Sequence, residues 1–310
     1  MPMINIEDAY ILNETGEQVD KVTGLFTKDE DTTEEEKAFA QLNIGASGGG
    51  GGGGRNLVDN PFFTINQRGF TVGSTVGYTV DRWKNDNGSA ITFSDGVIGL
   101  PANANFIQPI EPDLYAELVG KTVTLSVLYS DNTIASGTIT VPSSGSTYAT
   151  GTPRLAMNGT SKRFFCYPPT NISVRAFKLE LGSVSTLAND APPDYGEELA
   201  KCQRYFQRVV APSYGNGFGF GRAHSATECR VYIPLPVPLR ASPSVSITNI
   251  GSVSLAGNGN TYSCTAMAYS GRSESGVNLS FTTSGLTTNQ LYLLYRSGSA
   301  DVHIDLSADL

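Results

Sequence analysis

Over most of its length the chain alternates apolar and polar residues with a period of two, the signature of half-buried strands. The cleanest run is 121–129, KTVTLSVLY. There Val123, Leu125, Val127 and Tyr129 face one way, and Thr122, Thr124 and Ser126 face the other. Residues 138–141 follow it after Asp131-Asn132, a hairpin-like turn. Stretches 91–93, 97–100, 163–167 and 174–181 add strands to what reads as one β domain, 55–190. This domain opens on NLVDNPFFTINQRGFTVGSTVGYTVDRW (56–83), where Asp59-Asn60-Pro61 and Gly69 cut the apolar residues into short strands. Trp83, the only tryptophan, is placed to seal a β core. A second alternating region, 213–310, contains strands at 230–237, 244–250, 252–255, 261–269, 277–283, 290–296 and 301–306. Pro234, Pro236 and Pro238 fall on every second residue of it. Their missing N–H groups predict an edge strand or an extended inter-chain segment.

Two stretches switch to helical spacing. In 191–212, Pro192-Pro193 break the chain, and Asp194 with Glu197 forms a capping box. Leu199, Cys202, Phe206 and Val209 then recur at three-to-four spacing with Tyr205 beside them, and Pro212 ends the run. So apolar a face must pack on something, which makes this connecting helix the elbow between the two β domains. Nearer the N-terminus, Thr33 and Glu36 form a second capping box. It predicts a short helix over 34–43, with Phe39 and Leu42 on one side and Gly45 as its stop. Before it, residues 1–30 alternate weakly through Tyr10, Leu12, Leu25 and Phe26, with a turn at 13–16. A segment this short buries too little area to fold alone and is expected to stay loose or dock on a partner. Residues 47–54 are a poly-glycine linker with a reach on the order of 15 Å. It lacks the Lys-Ser/Thr of a phosphate loop.

Composition sharpens this picture. At 310 residues the chain suits two or three domains, and only 16% of it is charged. The net charge of −8 lies wholly in residues 1–46, which hold eleven acidic residues against three lysines. The remainder is neutral, which argues against a nucleic-acid partner because phosphate binding needs a basic face. No apolar run is long enough for membrane insertion, and MPMINIEDAY lacks the pattern of a secretory signal. The four cysteines, Cys166, Cys202, Cys229 and Cys264, are far apart without a C-x-x-C pair, and free buried thiols are expected.

The opening NLVDNPFFTINQRG with YTVDRW closely resembles the start of a module found in tail-fibre and tail-tip proteins of bacteriophages and prophages. AFKLELGS (176–183), DYGEELAKCQRYFQR (194–208), LPVPLRASPSVSI (235–247) and the ending HIDLSADL fit the same resemblance, as does EEEKAFAQLNIGA in the N-terminal segment. The first domain also resembles the jelly roll of carbohydrate-binding modules, in which the late KLE-type strand pairs with the first. The resemblance implies a mainly β virion fibre. Its parts would be an acidic anchor (1–46), the linker, a jelly-roll-like sandwich (55–190), the connecting helix (191–212) and a C-terminal sandwich (213–310). It implies a homotrimer on the virion surface, made in the host cytoplasm and held to a tail, baseplate or capsid protein through 1–46. Tyr10, Leu12, Leu25, Phe26, Phe39 and Leu42 are the anchoring candidates.

The activity this implies is attachment to a bacterial surface glycan, without catalysis and without cofactor. Stacking on sugar rings needs exposed aromatics beside polar groups, and PSYGNGFGFGRAH (212–224) has that composition. Tyr214, Asn216, Phe218, Phe220, Arg222 and His224 are therefore the receptor-binding candidates, with loops 257–262 and 270–275 beside them. The competing reading of Phe218 and Phe220 is that they are core residues of a strand. Two other functions compete. One is a head-fibre, capsid or baseplate decoration protein without its own receptor. The other is a glycan depolymerase using paired carboxylates among Asp81, Asp86, Asp95, Glu111 and Asp113. His224 and His303 are the only histidines, and a His224…Cys229 metal site would lack two ligands, so no metal is expected.

Overall fold

The structure is a computed structural model that describes residues 54–310, together with the backbone of β1 (Tyr10–Leu12) and β2 (Gln18–Lys21). Residues 1–47 and 48–310 form separate compact units. In the first, β1 and β2 pair antiparallel, so Tyr10 and Leu12 lie on a strand of a hairpin. Leu25, Phe26, Phe39, Leu42 and the expected helix over 34–43 lie outside the described residues.

The larger unit is mainly β. Its first lobe packs two six-stranded antiparallel sheets face to face. One runs β10 (Ile134–Thr140), β9 (Thr122–Tyr129), β14 (Ile172–Leu181), β7 (Val97–Leu100), β6 (Ile91–Ser94), β3 (Val72–Gly73). The other runs β11 (Ser146–Tyr148), β12 (Leu155–Asn158), β13 (Arg163–Cys166), β8 (Phe106–Pro109), β5 (Lys84–Asn85), β4 (Gly77–Tyr78). Inward residues of both sheets, including Val123, Leu125 and Val127 of β9, make one core. Trp83 sits in it fully buried, stacked on Phe106 at 5.1 Å and edge-on to Phe63 at 5.6 Å, with its Nε1–H donated to Asn60 O. The opening segment runs beside β14: Leu57 N donates to Leu179 O, and Asn56 Oδ1 accepts from Leu179 N. Thr124 and Ser126, on the far side of β9, are also buried, because residues 182–185 cross them and bond both hydroxyls.

The expected helix over 191–212 is shorter. Helix α1 (Pro112–Leu118) lies in the first lobe, and α2 spans only Tyr195–Gln203, with Asp194 accepting from Glu197 N at its N-cap. The chain then turns into β15 (Phe206–Val210), so Phe206 and Val209 belong to a strand and not to the helix. Val209 and Val210 are β-branched, and packing against a sheet suits them better than a third helical turn.

The second lobe sets a three-stranded sheet, β15–β24 (His303–Ser307)–β18 (Ser244–Ile247), against a seven-stranded one. The latter runs β20 (Asn260–Ser263), β19 (Val253–Gly257), β23 (Leu291–Arg296), β16 (Gly217–Ser225), β17 (Glu228–Pro234), β22 (Gly276–Thr282), β21 (Ala266–Ser273). Its two edge strands, β20 and β21, are separated by only Cys264 and Thr265. Three peptide steps span at most about 11 Å, so the sheet curls until its ends meet. Core residues from both sheets, such as Leu279, Leu294, Ile304 and Leu306, fill the interior. The proline-spaced stretch is not a sheet edge. β17 pairs on both sides, with β16 and β22, and Pro234 is its last residue. Beyond it Leu235 and Leu239 donate to Ser275 O and Glu274 O, while Pro236 and Pro238 face solvent.

Candidate functional site

Residues from several of the stretches singled out in the sequence, 56–69, 78–83, 194–208 and 303–310, meet at the junction of the two lobes. Arg82 is buried there, donating Nε to Asp59 Oδ2 at 2.9 Å and Nη2 to Pro109 O, with its guanidinium 3.4 Å from the centre of the Tyr205 ring. Arg68 lies 3.7 Å over Phe206 and pairs with Asp309 at 2.5 Å. Arg208 makes a two-pronged pair with Asp305 at 2.7 and 2.8 Å and donates to Arg68 O. Glu198, buried at the end of the first turn of α2, accepts from Asn60 N, and Tyr78 donates to Leu310 O. Asp81 accepts from Gln67 N and Nε2, while burial pushes its pKa up to about 6 against the opposing pull of Arg68. Arg68 to Asp309, Arg208 to Arg68 O, Glu198 to Asn60 and the Arg82–Tyr205 contact cross between the lobes, and Arg68 Nε, Arg82 Nη1 and Asp309 Oδ1 are buried there without a hydrogen-bond partner.

The carboxylates considered for hydrolysis each have their own setting in the structure. Asp81 belongs to the junction. Asp86 is held by Arg163 at 2.7 Å and by Asn105, and Glu111 by Arg240 and Tyr205. Asp95 sits in the β6–β7 turn bonded by Ser94, and Asp113 lies in the first turn of α1. His224 and Cys229 point to opposite faces of the sheet, His224 to solvent and Cys229 into the core. All four cysteines are free and buried.

The receptor-binding candidates divide. Phe218 packs against the second core, and Asn216 accepts from Ser213 N and Oγ, closing the turn before β16. Arg296 pins that turn through Nη1 to Ala211 O and Pro212 O, and Tyr214 at its tip is exposed. The register shifts between Gly217 and Gly219. Past that irregularity Gly221 and Ala223 face inward, and Phe220, Arg222 and His224 face outward together. A Cβ at Gly221 would fall 2.5 Å from Arg230 O and 2.6 Å from Val231 Cγ2, so only glycine lets β16 and the inward side chains of β17 approach this closely. The core reading of the aromatics is thus right for Phe218 and wrong for Phe220.

The outward face around Phe220 contains residues that alternation alone did not single out. Phe220 pairs across to Leu293, and Arg222 to Leu291 on one side and Arg230 on the other. Phe220, Leu291 and Tyr232 are 70%, 68% and 52% exposed. The Tyr232 ring lies over Gly276 of the next strand; a Cβ there would fall 2.7 Å from its Cζ. The signal that would have found Tyr232 is its place two residues after Arg230 on a strand whose odd positions, Cys229, Val231 and Ile233, are buried. Loops 257–262 and 270–275 lie at opposite ends of this sheet: Asn258 bonds Gln290 near Leu291, whereas Ser275 and Glu274 meet the segment after Pro234. They do not form one surface beside the candidates.

Comparison with known proteins adds no relative: no family model matches the chain, and no significant match exists among curated proteins or solved structures.

Proposed function

We propose that this chain is an attachment protein of a bacteriophage or prophage particle. It is carried on the virion as a homotrimer through residues 1–46 and binds a bacterial surface glycan with its second lobe. The observation that carries the reading is the outward strip of β16, where Phe220 stands 70% exposed beside Arg222 and His224 on a framework of paired strands. An exposed ring flanked by polar donors suits sugar stacking, and the paired strands fix its backbone before binding, which lowers the ordering cost. Three copies would raise a weak contact to a useful one through avidity. The test is adsorption of the purified full chain to bacterial envelopes. Saturable binding that Phe220→Ala with Arg222→Ala abolishes is expected; an absence of binding across a panel of strains refutes the reading. Immunogold labelling of virions separates a tail from a capsid position.

A further inference from the structure

We infer that the receptor carries a negative charge, and that Arg222 with Arg230 binds its carboxylate or phosphate while Phe220 and Tyr232 take the adjoining sugar face. This rests on the reading of the outward β16 face as the contact surface and names the class of ligand. Arg222 and Arg230 are register partners on neighbouring strands of that face. Like charges directly opposite in a sheet repel, so the pair is tolerated only at some expense of stability. Glu228 relieves Arg230, at 2.7 Å, and is itself held by Ser280. Arg222 has no such relief: it is exposed and makes no hydrogen bond or ion pair with any described residue. The other outward neighbours, Leu291, Leu293 and Asn278, carry no negative charge.

A guanidinium with all its donors free, held by its strand at the rim of an aromatic strip, fits the two oxygens of a carboxylate or phosphate. Phe220 lies two residues before Arg222 on the same face, about 7 Å along the strand. One saccharide unit therefore reaches both. A neutral glycan offers Arg222 hydroxyl acceptors but no opposite charge, and so the weaker match.

The experiment is calorimetric titration of the full chain with a galacturonate tetrasaccharide, the neutral galactose tetrasaccharide and galactose 6-phosphate. The galacturonate oligomer should bind about tenfold or more tighter than its neutral counterpart, the ratio that one charge-assisted hydrogen bond supplies. Arg222→Gln should erase that ratio, Arg222→Lys should keep only part of it because the charge remains and the two-pronged contact is lost, and both variants should fold, since the side chain is exposed. Tighter binding of the phosphate ester, equally dependent on Arg222, supports the same inference with phosphate as the anion. Equal binding of charged and neutral sugars, no binding of either anionic probe, or an Arg222→Gln variant that binds as wild type overturns it. Adsorption to bacterial envelopes keeps the two claims separable. If wild type and Arg222→Gln adsorb equally, the charge inference falls and the attachment reading stands. If wild type adsorbs to no envelope, the attachment reading itself falls.

Discussion

Replacing Arg82 with Leu should destabilise the first lobe and loosen its hold on the second, because this buried cation is hydrogen-bonded within the first lobe and packs on Tyr205 of the second. The side chain makes two charge-assisted hydrogen bonds and lies against the Tyr205 ring. Breaking a buried pair by removing one partner costs about 3–5 kcal/mol. Asp59 is 28% exposed and regains water when abandoned, which places the loss near the lower end, about 3 kcal/mol. With a urea m-value of about 3 kcal/mol/M for a unit this large, the midpoint should fall by about 1 M. Trp83, the sole tryptophan, reports the first lobe by fluorescence, while far-ultraviolet circular dichroism reports the strands of both. In wild type the two curves should coincide, as expected for one cooperative unit. In Arg82→Leu both should shift, and the fluorescence midpoint should not exceed that of dichroism. Wild-type curves that separate, or a shift below about 0.3 M, would refute the view that the junction is the structural centre of the chain.

Other expectations follow from single environments. Asp81 has a folded pKa of about 6, above the unfolded value near 3.8. Its contribution to stability is therefore fully present below the unfolded value and is lost as pH rises through about 6. Relative to Asp81→Asn, wild type should lose about 2–3 kcal/mol between pH 4 and pH 7, at about 1.4 kcal/mol per unit; parallel stability-against-pH curves would contradict this. Gly221→Ala should destabilise by about 1–3 kcal/mol through overpacking against Arg230 O and Val231, measured by urea denaturation, whereas Phe220→Ala should change stability by less than about 0.5 kcal/mol. Burial pushes the Cys229 thiol up to about 11 and the Cys264 thiol up to about 12, so neither should react with a thiol reagent at pH 8 until the protein is denatured, when all four cysteines should titrate.

The strands were the part of the fold written most plainly in local pattern. KTVTLSVLY alternates from Thr122 to Val127, with Leu128 the one apolar residue on its polar face, and β9 covers nearly all of it. The cap at Asp194 was equally plain, since its chemistry needs only residues three apart. The end of α2 was hidden because Cys202, Phe206 and Val209 satisfy helical spacing while Phe206, Arg208 and Val210 satisfy strand spacing. Contacts with Arg68 and Asp305, far away in sequence, decide between them. The same distance hid the junction: stretches 56–69, 78–83, 194–208 and 303–310 stand apart in the sequence, and only folding gathers them around Arg68, Arg82 and Arg208. In the candidate site, alternation put Phe218 and Phe220 on one face. The register shift between Gly217 and Gly219 separates them, and no local pattern marks it. Tyr232 and Leu291 joined the face only through pairing of β16 with β17 and β23.

The most direct test of the attachment reading is a binding array of bacterial surface glycans probed with the full chain and with Phe220→Ala/Arg222→Ala. The account predicts that wild type retains a defined subset of glycans and that the double variant, folded to the same stability, retains none of them. Wild type that retains no glycan, or a double variant that retains the same subset, would contradict it.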